Sequence, residues 1–147
     1  VFKRIVVGTD GSETAGEAVR QAIELAKLTG ATLSLVSAYQ PASSRRVQAE
    51  QSGAPADVQY EIGPREDVNL LLDGAAADAK GEGLEVQTHP VEADPADAIL
   101  NVAEETKADL IVVGNKGMTG ARRYLLGSVP NNISHHAPCS VMIVRTT

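Results

Sequence analysis

Gly114, Gly117, Gly127 and Ser128 have the residue types and the spacing to hold an anion. An apolar run, Leu110 to Val113, stops at Gly114; Gly117 follows after two residues and the pair Gly127-Ser128 after nine more. Glycine carries no Cβ, so the backbone N–H groups of such a loop can come close to a phosphate. Ser128 opens what reads as a helix, whose first turn has unpaired N–H donors and a partial positive charge. A buried strand, a glycine-bearing loop and a helix start with a hydroxyl together read as the phosphate end of a nucleotide site. Arg122 and Arg123, between Gly117 and Gly127, can pair with phosphate charge or stand as solvated surface.

A second loop has matching chemistry. Gly8-Thr9-Asp10-Gly11 follows the first β-rich run, Ile5-Val6-Val7. The Asp10 carboxylate can accept from a ribose hydroxyl or an adenine amino group, or it can simply shape the Asp-Gly turn. Ala38, at the end of the second strand, can line a flat apolar slot for a base. Other chemistries lack their residues. There is no GxxxxGK[ST], no GxGxxG after the first strand, no GxSxG and no nucleophile–base pair. His135 and His136 fall near the end of the last helix, where positive charge suits the dipole, and His89 falls at a strand end before Pro90. None has a partner at metal-ligand spacing. Cys139, the sole cysteine, reads as a small packed residue rather than a reactive thiol.

These residues need elements to hold them. Ser12 reads as an N-cap, followed by apolar residues at Ala15, Ala18, Val19, Ala22, Ile23 and Ala26 and a stop at Gly30. Residues 32–38 form the second strand. Pro64 starts a helix with one face at Val68, Leu71, Leu72, Ala75 and Ala79, ended by Gly81. Residues 84–88 alternate as the third strand. Asp94-Pro95-Ala96-Asp97 marks a helix start with an N-cap carboxylate, continued by Ile99, Val102 and Ala103. Leu110 to Val113, a helix from Ser128 to His136 and a strand from Val141 to Val144 complete the chain. Pro130 fits that helix only in its first turn. Gln40 to Gln59 is polar and aperiodic: a surface loop with a helical turn near Val47, or a lid whose Arg45 and Arg46 reach phosphates.

Strands alternating with helices predict an α/β fold, a doubly wound parallel sheet with helices on both faces, over a single domain of residues 1–147. The two loops share a crevice if their strands are neighbours, and the sequence leaves strand order open. Composition agrees with a sheet core built from aliphatic residues: 43% hydrophobic, 3% aromatic, no Trp. A net charge of -6 argues against nucleic acid as the partner. No secretory or membrane-spanning stretch is found, and the expected compartment is the cytoplasm.

Three segments together are specific: Ile5 to Ser12, the G-x2-G-x9-G-S spacing from Gly114 to Ser128, and Ala137 to Val144. They resemble the universal stress protein family over essentially the whole chain, and the glycine spacing resembles its ATP-binding branch. The resemblance implies a five-stranded Rossmann-like sheet in order 3-2-1-4-5, of the adenine nucleotide alpha hydrolase-like type, and a homodimer formed through the last strand, Val141 to Val144. It implies that Gly8, Thr9 and Asp10 meet adenine and ribose, and that Ala38 lines the base pocket. Val113 and Gly114 would flank ribose and phosphate, and Gly117, Gly127, Ser128 and Val129 would hold phosphates. Pro130, which removes an N–H donor, and the long loop after Tyr39 depart from the family pattern. They open AMP or cyclic AMP as alternatives to ATP. The expected function is a cytoplasmic adenine-nucleotide sensor or store in stress response or signalling. A weak ATP hydrolase or nucleotidyl-transfer enzyme, with Asp10 and Ser128 positioning a Mg2+-bound phosphate, is a second reading. A dimeric interaction module with a vestigial site is a third.

Overall fold

A computed structural model describes residues 1–39, 64–115 and 128–145. Five parallel strands form one sheet: β1 (Arg4–Gly8), β2 (Thr32–Tyr39), β3 (Val86–Glu92), β4 (Leu110–Gly114) and β5 (Ser140–Val144), in the order β3-β2-β1-β4-β5. Helices α1 (Glu13–Thr29) and α2 (Pro64–Gly81) cover one face; α3 (Pro95–Thr106) and α4 (Ser128–His136) cover the other. Because both faces are covered, both sets of alternating side chains in the central strands are buried. Ile5, Val7, Leu33, Leu35, Leu110 and Val112 face α1 and α2, while Val6, Val36, Ile111 and Val113 face α3 and α4.

Local chemistry sets the ends of these elements. The Ser12 hydroxyl accepts from the Ala15 N–H at 3.2 Å, and Gly30, left-handed at φ 73°, ends α1 with its N–H on the Ala26 carbonyl. α3 differs from expectation. Asp94 occupies the N-cap position with extended backbone, but its side chain makes no capping bond, so the pre-set φ of Pro95 and the acidic first turn at Asp97 start the helix. Asp109 ties β4 to β1: its carboxylate accepts from the N–H groups of Lys3 at 2.8 Å and Arg4 at 3.0 Å. Burial pushes that carboxyl up, and the two N–H donors outweigh it and hold the pKa below the ordinary value.

The third strand is also displaced from the expected 84–88. Leu84 still belongs to the exit of α2, its N–H on the Ala79 carbonyl at 3.3 Å beside Gly83 at φ 84°. At the other end the strand passes through Pro90 instead of stopping before it. Leu33 N–H donates to the Glu85 carbonyl and Ala93 N–H to the Tyr39 carbonyl. Odd-numbered residues of β3 therefore bond β2, and Pro90 points its missing donor away from the sheet, the position where an edge strand tolerates proline.

His89 is consequently mid-strand, not at a strand end. Its side chain lies on the face covered by α3, with Nε2 buried and without a hydrogen-bond partner among the described residues. Burial lowers its pKa from the ordinary 6.5, and the Glu105 carboxylate offsets only part of that. The folded protein thus resists a proton that the unfolded chain accepts. This contribution to stability is intact above about pH 6.5 and is lost as pH falls through and below that value. Urea unfolding from about pH 7.5 to about pH 5 is expected to show a fall in stability that is smaller in His89→Leu than in the parent chain.

Candidate functional site

β1 pairs with β2 on one side and β4 on the other, with Ile5 opposite Leu110 and Val7 opposite Val112. Chain order reverses across β1, which makes this the switch point of the sheet. The loop after β1 and the end of β4 therefore open side by side. A cleft of about 130 Å3 lies there. Of the residues expected at the site, Gly8, Thr9, Asp10, Ala38, Val113, Gly114 and Val129 line it. Ser128 opens α4 and is exposed, outside the cleft lining. Gly117, Gly127, Arg122 and Arg123 lie outside the described residues, as does the segment Gln40 to Gln59 with Arg45, Arg46 and Val47.

The cleft has apolar walls and a polar rim. Pro95 and Ile99 of α3 form one wall, and Val129 and Pro130 of α4 another. At the rim the buried Thr9 uses both of its groups in the turn. Its N–H donates to the Val36 carbonyl at 2.9 Å, and its Oγ1 accepts from the Gly11 N–H at 3.2 Å. Gly11 stands at φ 83°, a left-handed conformation that suits glycine. Asp10 Oδ1 accepts from the Ser12 N–H at 2.9 Å, so the carboxylate shapes the turn and stands exposed at the edge of the cleft.

The β2 end of the cleft is defined by backbone. The bond from Thr9 to the Val36 carbonyl shows which way Val36 presents its polar groups. Two residues on, Ala38 presents its N–H and C=O the same way. β1 ends at Gly8, opposite Val36, so no strand residue faces Ala38 on that side. An N–H donor and a C=O acceptor thus stand together at the mouth. At the far wall α4 contributes the N–H group of Val129, while Pro130, buried in the third helical position, has none.

Pro95 and Ile99 were legible only as a helix start and a core face; nothing in their spacing marks them as site residues. Gly8 carries the signal. A Cβ placed there would run into Ile99 Cδ1 and lie 3.0 Å from Cγ1. Gly8 is small because α3 packs directly over the end of β1.

Elsewhere, His135 and His136 are exposed with rings edge to face, and burial raises the pKa of the half-buried Cys139 thiol. Among the described residues no three His, Cys, Asp or Glu side chains are grouped to hold a metal ion, and no helix is long and apolar enough to cross a membrane.

The chain was compared with known proteins. The family model described as "Universal stress protein family" matches residues 2–145. Universal stress protein Rv1636 of Mycobacterium tuberculosis is 38% identical over 147 residues, covering 99% of this chain and 98% of the relative. A crystal structure of a universal stress protein in complex with cAMP superposes with a TM-score of 0.72 at 33% identity, covering 99% of this chain and 98% of the other. The universal stress protein of Archaeoglobus fulgidus in complex with dAMP gives 0.66 at 25% identity, covering 97% and 98%. With a family match over nearly its full length, this chain belongs to the universal stress protein family.

Proposed function

We propose that this chain binds an adenine nucleotide in the cleft between β1, β2 and β4 and acts as a cytoplasmic nucleotide sensor or store, not as a rapid catalyst. The observation that carries the reading is the N–H and C=O of Ala38, unpaired by any strand residue of β1 among the described residues, beside apolar walls. Adenine offers an acceptor at N1 and a donor at N6 along one edge, which matches that pair. Guanine offers a donor and an acceptor in reversed order, which places like against like. The cAMP and dAMP complexes of the two similar proteins support the same ligand class.

On this reading Asp10 turns its remaining oxygen to the ribose hydroxyls. Gly114 and the N–H groups of Ser128 and Val129 approach phosphate, joined by Gly117, Gly127, Arg122 and Arg123. Pro130 withholds one donor from that helix start. The site therefore favours AMP or cyclic AMP over ATP. ATP would bring Mg2+ held mainly by its own phosphates and water, with Asp10 the carboxylate that lines the cleft.

The two sheet edges support a homodimer through β5. The Asn115 N–H donates to the Val144 carbonyl, so Val141 and Ile143 point their backbone groups outward along an apolar, proline-free edge. At the opposite edge Pro90 interrupts the donors.

Calorimetric titration with AMP, cyclic AMP, ATP and GMP tests the ligand. Adenine nucleotides are expected to bind, with GMP weaker by about 10-fold or more; no heat from any adenine nucleotide would overturn the proposal. Asp10→Asn keeps an acceptor for the Ser12 N–H, so it should melt close to the parent while losing about 10-fold in affinity, the worth of one charge-assisted hydrogen bond. For the dimer, Ile143→Pro removes an outward donor without touching a β4 bond. Sedimentation should then report monomer where the parent chain reports dimer.

A further inference from the structure

We infer that Gly8 selects a purine over a pyrimidine by seating Ile99, whose side chain sets the depth of the base slot; the inference rests on the adenine-nucleotide reading of this cleft. Hydrogen bonding at Ala38 leaves a gap in specificity. Cytosine carries the same edge pattern as adenine, an amino donor at N4 beside an acceptor at N3. A backbone N–H and C=O pair accepts either base. What distinguishes the two is the length of the ring system behind that edge, so selection falls to whatever closes the slot.

Ile99 is placed to do this. It is 5% exposed and packs with Val6, Val36, Ile111 and Val113 on the α3 face of the sheet, yet it also lines the cleft. Its Cδ1 and Cγ1 lie over the Cα of Gly8, in the space that any Cβ at position 8 would occupy. Gly8 has no left-handed backbone to explain its identity, since among the described residues the positive-φ glycines are Gly11, Gly30 and Gly83. A side chain there would force Ile99 to shift. Ile99 packs against buried Val6, Val36, Ile111 and Val113 and borders open space at the cleft, so a Cβ on Gly8 pushes it toward the cleft. Gly8 is thus a positioning residue: it acts on the ligand through Ile99.

The test is a four-protein titration with AMP and CMP: the parent chain, Gly8→Ala, Ile99→Val and the double variant, each with a thermal melt. The parent should prefer AMP. Gly8→Ala should lose about 10-fold or more in AMP affinity, the worth of roughly one methylene of misfit, with CMP less affected. Ile99→Val removes only Cδ1, the atom nearest the added methyl. In the double variant it should restore AMP binding toward the parent value. Alone, Ile99→Val deepens the slot and should widen the preference for AMP over CMP; this readout stands even if Gly8→Ala does not fold. An equal loss of AMP and CMP in Gly8→Ala, no recovery in the double variant, or an unchanged ratio in Ile99→Val would each overturn the inference while leaving the adenine reading intact. If the parent binds neither nucleotide, both fail.

Discussion

β1 is shorter than the strand beside it, and that mismatch is the constraint from which the site follows. β1 ends at Gly8 opposite Val36, while β2 continues to Tyr39. Inside a sheet every backbone N–H and C=O is normally paired. Past Gly8 no strand residue of β1 pairs with β2 among the described residues, and Ala38 presents a donor and an acceptor on that side. The Thr9 N–H makes the last bond across to β2, and the turn at Gly11 then lifts the chain into α1. This half-buried strand end leaves backbone polar groups without a strand partner among the described residues, and such groups call for water or a ligand.

The walls follow from composition. With one Phe, three Tyr and no Trp, the chain has few aromatic rings to line a cleft, so its walls are aliphatic carbon. Pro95, Ile99, Val129 and Pro130 provide it. Both prolines sit in helix first turns, where they cost no internal helix bond. At α4 this has a chemical consequence: the same residue that thickens the apolar wall takes an N–H donor away from the start of the helix.

The two edges of the sheet differ in kind, although each is a single parallel strand. β3 carries Pro90 on its outward side with His89 turned beneath α3, whereas β5 shows half-buried Val141, Met142 and Ile143 and no proline. An open apolar edge is a liability unless a partner covers it.

Much of the local structure was readable in the residues themselves. The Ser12 cap, the Gly30 stop, the helical faces of α1 and α3 and the buried runs of β1, β2 and β4 depend on contacts within a few residues, and local pattern reports them. The third strand misled because proline in a strand is forbidden or harmless according to which neighbour it faces, and Pro90 faces none. The glycine and aspartate positions of the cleft were also legible, because Gly8-Thr9-Asp10 and Gly114 follow apolar runs. Their adjacency was not: strand order depends on how the helices pack over the sheet, a sum of distant contacts that no short segment records. The same holds for Ile99. Its spacing shows a residue that faces the core, but only the approach of α3 to the end of β1 decides that this core position is also the back of the cleft, and that Gly8 must be bare to admit it.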